Sequence, residues 1–302
     1  MIYNSMQDKS KPCALALGYF DGVHIGHQSV INACLENAKQ NNIKSAVFTF
    51  TDNEKLSKKS QRSELYTREN SVNRLINLGI DFIVMPDFKD ICSLSPSEFV
   101  RILCENFSVK AFFCGVDYRF GKNASGDVNV LKNEAKKYGA KVFAIEKNVV
   151  DGIEVSSTAV INAVTEGDMQ LAKKLLGRAY SIEGEVVGGK HIGKKRLYPT
   201  INLEFLSDSV VPKRAVYVSY VKIDSEKHLA VTNVGVCPTV DGGVERAVCE
   251  SYIIDKELEL YGKKVEIEFV DFIREEIKFE SLDALKNQIK ADILSAKKIG
   301  CE

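Results

Sequence analysis

Two histidines and three glycines are concentrated in the ten residues from Gly18 to His27, which read GYFDGVHIGH. An apolar run precedes this segment and a helical pattern follows it, so the segment joins a strand to a helix. Glycines at 18, 22 and 26 let the backbone approach phosphate oxygens, and the N-terminus of a helix favours negative charge. The imidazoles of His24 and His27, three residues apart, can lie on one helical face and donate hydrogen bonds to a phosphate as charge builds there. The segment therefore predicts a nucleotide site.

The histidines have two other interpretations. They could be surface residues beside an ordinary strand-to-helix turn. Zinc ligation is less favoured, because no third ligand stands at a usable spacing.

A second candidate site contains Thr200 and Asn202. If this segment is extended, the two side chains project to one face. A hydroxyl and an amide oxygen suit Mg²⁺ held by ATP phosphates, whereas a plain turn before a strand is the alternative. The glycine-rich basic loop from Gly189 to Arg196 precedes them and favours phosphate binding.

Part of that loop, GGKHIGK at residues 188–194, spells most of a Walker A motif. The next residue is Lys195 and not serine or threonine, and strand patterns surround the loop. We therefore treat the match as accidental.

Glu250 stands in a segment, AVCESYII, whose alternation places Val248, Glu250, Tyr252 and Ile254 on one face. A carboxylate on an otherwise apolar strand face must be paired, or desolvated with a raised pKa. A raised pKa suits a general base near neutral pH, and a buried ion pair with an arginine is the alternative.

The first half of the chain alternates strand and helix patterns. The predicted strands cover residues 13–20, 43–50, 81–86, 110–115 and 141–147. Apolar strands separated by helices predict an α/β fold with a parallel sheet covered on both faces.

The pattern changes in the second half. Residues 157–176 have a helical pattern with a break at Gly167-Asp168, and alternating strands follow Gly177. A last amphipathic helix begins at Ser281, so the second half predicts an antiparallel barrel or sandwich closed by a helix. These patterns predict two domains, 1–177 and 178–302.

Composition restricts the function classes. The chain has 302 residues, with 41 lysines and arginines against 41 aspartates and glutamates. This balance argues against nucleic acid or an anionic membrane as the main partner. The sequence has no apolar run long enough to span a bilayer and no secretion signal. Eight cysteines without a CxxC pair favour reduced thiols, and we expect a cytoplasmic protein.

The residues His24-Ile25-Gly26-His27 resemble the HxGH motif of the nucleotidyltransferase superfamily. The longer run FDGVHIGHQ resembles the bifunctional riboflavin kinase/FMN adenylyltransferase family, and the likeness covers nearly the whole chain. It continues through GVDYRFG at 115–121, Ser156-Ser157-Thr158 and YPTIN at 198–202. The resemblance implies a Rossmann-like nucleotidyltransferase domain followed by a six-stranded antiparallel riboflavin kinase barrel with a C-terminal helix.

The resemblance also implies two reactions on small molecules. The barrel would phosphorylate riboflavin with Mg-ATP, and the first domain would adenylylate FMN to FAD and release pyrophosphate. Glu250 would take the proton of the ribityl 5′-hydroxyl, and His24 and His27 would polarise the α-phosphate. The other implied contacts are ATP or phosphate at Gly18, Phe20, Asp21, Gly22, Gly26, Ser157, Thr158, Gly189, Gly193 and Lys194; flavin at Asp117 and Arg274; and Mg²⁺ at Thr200 and Asn202.

The sequence departs from the family pattern on the triphosphate side. Ile161 stands where the family has an arginine, and Asp52-Asn53-Glu54 replace a Pro-His-Pro. A kinase with an impaired or regulatory first domain is therefore one alternative, and a flavin or nucleotide sensor without turnover is another. Intact Thr200, Asn202 and Glu250 argue against the sensor, because binding alone needs no base.

Overall fold

The computed structural model describes residues 1–51, 64–187, 199–204, 210–224, 226–237, 246–256 and 258–300. The chain divides into two compact units, Met1–Ser157 and Thr158–Glu302. None of the helices within those ranges is long and apolar enough to cross a membrane.

The first unit contains a six-stranded parallel sheet, which confirms the predicted α/β class. Its strands are β1 (Ile2–Tyr3), β2 (Cys13–Leu17), β3 (Lys44–Phe48), β4 (Phe82–Val84), β5 (Val109–Gly115) and β6 (Lys141–Ile145). They lie in the order β1-β4-β3-β2-β5-β6. The two-residue strand β1 was not predicted, because it is too short to show any periodicity.

Helices cover the sheet as the alternating pattern predicts. They are α1 (Ile25–Gln40), α2 (Arg68–Asn77), α3 (Phe88–Ile91), α4 (Pro96–Phe107) and α5 (Val128–Lys136). A short hairpin of β7 (Val149–Val150) and β8 (Ile153–Glu154) follows β6. Leu15 and Leu17 enter the core on one face of the sheet, and Ala14 and Ala16 enter the core on the other.

The strand order fixes where a ligand can bind in this unit. Strand β2 pairs with β3 on one side and with β5 on the other, so the chain direction across the sheet reverses beside β2. In open α/β sheets, ligands bind at the carboxyl ends of the strands at such a switch point. The segment Gly18–His27 leaves β2 at this edge.

The second unit is a closed antiparallel barrel, so the sandwich alternative is wrong. It begins with α6 (Ser157–Glu166), whose first residue closes the first unit, and α7 (Met169–Leu176). The strands are β9 (Tyr180–Val187), β10 (Ile201–Glu204), β11 (Ala215–Ile223), β12 (Glu226–Cys237), β13 (Arg246–Ile253) and β14 (Lys264–Glu275). They close in the order β10-β13-β12-β11-β14-β9. The C-terminal helix α8 (Leu282–Ile299) follows.

Alternation along the strands separates the interior of the barrel from its outer face. Large buried rings, Tyr180, Tyr217 and Phe269, fill the core. A chain of buried hydroxyls, Ser219–Thr232–Ser251, is linked at 2.6 and 2.7 Å. Helix α8 packs on outward-facing residues of β11 and β12, among them Val216, Val218 and Val231.

Two candidate active sites

The Gly18–His27 segment is a tight turn with strained backbone. Phe20 and Val23 both adopt positive φ, at 58° and 43°, which costs energy in residues other than glycine. Gly22 has φ 75°, and a Cβ there would lie 2.4 Å from the Leu65 side chain. Only glycine fits that position, because both its backbone conformation and its neighbour exclude a side chain.

The two histidines are brought together at the start of α1. His24 caps the helix: its Nδ1 accepts a hydrogen bond from the His27 backbone N–H at 3.2 Å. The two rings are stacked, with centroids 3.6 Å apart. A Cβ on Gly26 would lie 3.2 Å from the His24 ring, so glycine lets that ring lie against the helix. The structure thus explains the spacing of the motif.

Protonation of the pair follows from these contacts. Because Nδ1 of His24 accepts a hydrogen bond, its proton is on Nε2 when the ring is neutral. Burial and the neighbouring His24 ring hold the pKa of His27 well below its usual range. The Nδ1 atom of His27 is buried without a hydrogen-bond partner. At neutral pH His27 is therefore uncharged, and the ring nitrogen that can donate to a ligand is Nε2 of His24.

Phe20 and Gly18, two other predicted site residues of this turn, have structural contacts. The Phe20 side chain is 1 % exposed and packs edge-to-face under His27, with ring centroids 5.2 Å apart. Its burial favours positioning of the histidine over direct contact with a ligand. The Gly18 N–H donates to the Phe48 carbonyl at 3.2 Å, so that amide is already engaged.

Asp21 is linked to two distant parts of the chain. Its carboxylate accepts from the Leu65 N–H at 3.2 and 3.3 Å, and its carbonyl accepts from the Ser157 hydroxyl at 3.2 Å. Burial raises the pKa of Asp21 to about 6. The predicted site residues Asp21 and Ser157 are thus in contact, whereas Thr158 is exposed at the start of the second unit.

The raised pKa of Asp21 predicts a pH-dependent stability. The native carboxyl keeps its proton up to about pH 6, but the unfolded one loses it near pH 3.8, so ionisation destabilises the fold as pH rises through that window. We expect Asp21→Asn, which keeps an acceptor for Leu65, to stabilise the first unit at pH 7.5 by about 2–3 kcal/mol and less at pH 5. Thermal unfolding at both pH values measures this, and an equal gain at the two would contradict it.

Sequence reasoning missed Arg68, which joins the ends of two strands. Its guanidinium donates to the Tyr19 carbonyl at 2.9 Å and to the Thr49 hydroxyl, and it lies 4.7 Å from the centre of the Tyr19 ring. The Tyr19 hydroxyl in turn donates to Glu64. An arginine at the first position of a helix carries no sequence signal for this contact, because Tyr19 and Thr49 are distant in the chain.

The other side of the turn contacts the connection after β6. The Ser29 hydroxyl donates to Oδ1 of Asn148 at 3.0 Å, and that oxygen lies close to Gly26. Lys147 forms ion pairs with Glu154 at 2.6 Å and with the predicted flavin contact Asp117 at 3.0 Å. Asp117 is two-thirds exposed, so its carboxylate is open to solvent as well.

In the barrel, strand pairing places the second set of predicted residues in one row. Asn202 pairs with Glu250, Glu250 with Asn233, Asn233 with Val216, and Val216 with Arg274. Directly paired residues share a face and lie about 5 Å apart. Three predicted residues from distant parts of the sequence, Asn202, Glu250 and Arg274, therefore belong to one row across five strands. Thr200 stands two residues before Asn202, just ahead of β10.

The face that carries Glu250 is the outer face of the barrel. Cys249 and Ser251 are fully buried in the interior, and Glu250 between them is half-buried on the outside. Val248 and Tyr252 share that face, as the alternation predicts. Tyr252 and Ile254 of this face pack in the apolar cluster with Val231, so the face is apolar as predicted, although it is the outer face and not the interior of the barrel.

The surroundings of Arg274 differ from the flavin contact that the resemblance implies. Its guanidinium forms a forked ion pair with Asp292 of α8, at 3.0 Å from Nε and 2.8 Å from the terminal nitrogen. Asp292 is 2 % exposed and also accepts from Gln288 at 2.9 Å. This pair fastens α8 to the end of β14, which favours a structural role over direct contact with a flavin.

Several predicted residues lie outside the described ranges. They are Gly189, Gly193 and Lys194 of the glycine-rich loop, and residues 52–54. Their assignments stay predictions.

The two architectures, an α/β unit with a parallel sheet and a closed six-stranded barrel, match two known families. Residues 6–159 match the FAD synthetase family model, and residues 176–300 match the riboflavin kinase model. The chain is 33 % identical to a bifunctional riboflavin kinase/FMN adenylyltransferase of Pseudomonas fluorescens, over 98 % of this chain and 96 % of that protein. It is 32 % identical to the protein of the same name from Escherichia coli K12, with the same coverage.

A solved structure is similar over the whole length. It is described as a macrolide-efflux protein from Streptococcus pneumoniae, and it matches with a TM-score of 0.88 and 29 % identity over 98 % of each chain. That description is of the other protein. The family matches and the relatives above decide the classification: this chain belongs to the bifunctional riboflavin kinase/FMN adenylyltransferase family.

Proposed function

We propose that this chain phosphorylates riboflavin to FMN in its barrel and adenylylates FMN to FAD in its α/β unit. Membership of the family supports both activities. The observation that carries the kinase assignment is the pairing of Asn202 with Glu250, which places a candidate metal ligand beside a candidate base. Incubation with riboflavin, ATP and Mg²⁺ followed by product analysis tests the proposal. Formation of FAD supports both activities, and formation of FMN alone supports the kinase. The absence of both products refutes the proposal.

The kinase site has the parts that phosphoryl transfer requires. Mg²⁺ takes oxygen ligands and is usually bound by few protein groups together with phosphates, so the Thr200 hydroxyl and the Asn202 amide oxygen fit it. When bound, it neutralises charge on the phosphates. Glu250, one strand away from Asn202, accepts the proton of the ribityl hydroxyl, and its half-exposed position lets that alcohol reach it.

The adenylyltransferase site uses donors fixed by the fold. The Nε2–H of His24 and the adjacent His27 ring are held at the N-terminus of α1, where backbone N–H groups and the helix dipole favour anions. Donors arranged in advance stabilise the charge that develops on the α-phosphate. The FMN phosphate attacks that phosphorus, and pyrophosphate leaves.

A kinase with a weakened first unit is the second candidate. It is favoured by one departure, Ile161, which lies one turn along α6 from Ser157 and cannot hydrogen-bond to a phosphate. A charge-assisted bond to such a group contributes about 1.5–3 kcal/mol, so its loss corresponds to a deficit of about 10–100-fold.

We therefore expect Ile161→Arg to raise the rate of FAD synthesis by about 10-fold or more and to leave FMN synthesis unchanged. Steady-state rates of the two reactions, each with its own flavin substrate, measure this. Ile161→Gln, polar but uncharged, is the control. If FAD forms as fast as FMN in the unmodified chain and Ile161→Arg brings no gain, then Ile161 does not slow FAD synthesis.

Removing the Thr200 hydroxyl tests the metal assignment. Thr200→Val is nearly isosteric, so we expect the KM for Mg-ATP in FMN formation to rise about 10-fold, while the KM for riboflavin stays within twofold. Titration of Mg²⁺ at fixed ATP should show the same weakening. Unchanged KM for Mg-ATP would rule out Thr200 as a ligand.

The remaining assignments are proposals of the same kind. We infer that the domain boundary lies at residue 177, because the riboflavin kinase match begins at 176; the compact units divide earlier, after Ser157. We infer small-molecule substrates from membership of the family, and no nucleic acid or membrane partner from the balanced charge of the chain. Use of ATP supports a cytoplasmic location.

A further inference from the structure

We propose that Asn233 is a substrate-contacting residue of the phosphorylation site, on the side of the accepting alcohol, and that Glu276 positions its amide. This inference rests on the proposed kinase function.

The first support is the place of Asn233 in the paired row. It pairs directly with Glu250 from β12, whereas Asn202 pairs with Glu250 from β10. The candidate base therefore lies between two amides, each about one strand spacing away. Transfer needs the phosphate donor and the alcohol on opposite sides of the transferred group. If Asn202 is on the metal and phosphate side, Asn233 is on the alcohol side.

The second support is a contact that fixes the orientation of the amide. Nδ2 of Asn233 donates to Oε1 of Glu276 at 3.2 Å. Gly235 makes this approach feasible, because a Cβ there would lie 2.9 Å from the same carboxylate oxygen. With the nitrogen directed to Glu276, the amide oxygen is directed away from it. The oxygen is then an acceptor for a hydroxyl, which suits a polyol substrate.

The third support is the space beside Glu276. An open cavity of about 680 Å³ lies at this end of the barrel, lined by Glu276 together with Pro212, Arg214, Val236 and Ala247. Its volume is in the range that holds cofactor-sized ligands. Val236 and Ala247 are on the strand face opposite to Asn233, so Glu276 at the end of the barrel is the residue that joins this cavity to the Asn233 contact.

Kinetics of the full chain test the assignment. We expect Asn233→Ala to raise the KM for riboflavin about 3–10-fold and to leave the KM for Mg-ATP within twofold, as loss of one neutral hydrogen bond predicts. Asn287→Ala, the same change on an exposed part of α8, should alter neither. A rise in the KM for Mg-ATP, or no change in either KM, would overturn the placement of Asn233.

Variants of Glu276 distinguish the loss of its contact with the Asn233 amide from a general disruption of the fold. Glu276→Gln keeps an oxygen that accepts from Asn233, so we expect near-normal kinetics. Glu276→Leu should reproduce the Asn233→Ala effect, and combining Glu276→Leu with Asn233→Ala should add little to either. Equal losses in Glu276→Gln and Glu276→Leu, or additive losses in the double variant, would overturn the positioning role.

A riboflavin-binding measurement tests the Asn233 contact separately from the kinase function on which the inference rests. If the unmodified chain forms no FMN, the kinase proposal fails. Titration of riboflavin fluorescence with the unmodified chain and with Asn233→Ala still reports on the contact. Weaker binding in the variant supports it, and equal binding overturns it.

Discussion

Glu250→Gln should lower the rate of FMN formation by about 10²–10⁴-fold, because the amide keeps the size of the side chain but cannot accept the proton of the alcohol. The side chain lies on the outer face of β13, between Asn202 and Asn233, so the change leaves the barrel core untouched. We expect the KM for Mg-ATP to change little. Stopped reactions with riboflavin and Mg-ATP, analysed for FMN, give the rate.

Two comparisons make the result specific. Glu259→Gln changes an exposed glutamate elsewhere in the barrel unit and should retain full activity. FAD formation from added FMN should also persist in Glu250→Gln, since that reaction is assigned to the other unit. A Glu250→Gln protein with near-normal turnover would remove Glu250 from the mechanism.

The second large effect concerns His24. We expect His24→Asn to lower FAD formation by about 10²–10³-fold, the usual loss when a donor to developing charge is removed. Asparagine is a good helix cap, and its side-chain oxygen can accept from the His27 N–H in place of Nδ1. The variant therefore keeps the start of α1 but lacks the Nε2–H donor.

The same variant contains its own control. FMN formation should be unaffected in His24→Asn, and the unfolding temperature should stay close to that of the unmodified chain because the cap is preserved. A parallel loss of both activities would indicate misfolding. Unchanged FAD formation would show that the His24 ring takes no part in adenylyl transfer.

Local patterns in the sequence determined much of the first unit. Alternation of apolar strands with helices predicted the parallel sheet. The start of α4 likewise depends on neighbouring residues: Ser95 caps it, Pro96 is its first residue, and Glu98 completes the capping box. The run from Gly18 to His27 predicted a strand-to-helix turn with two histidines on the helix. These features depend on residues a few positions apart, so the sequence alone contains them.

In the barrel, the sequence determined the strands and the face shared by Val248, Glu250 and Tyr252. It left barrel and sandwich open, because both use the same alternation. It also left open which face is the core, since a period of two assigns residues to faces without saying what covers each face.

Only the tertiary structure decided which distant residues meet. The row from Asn202 through Glu250 and Asn233 to Arg274 depends on the register of five strands. Arg274 is directed to Asp292 because α8 returns across the barrel. Register and packing are set by loops and by the whole core, which no local window of sequence contains, so these contacts appear only once the chain is folded.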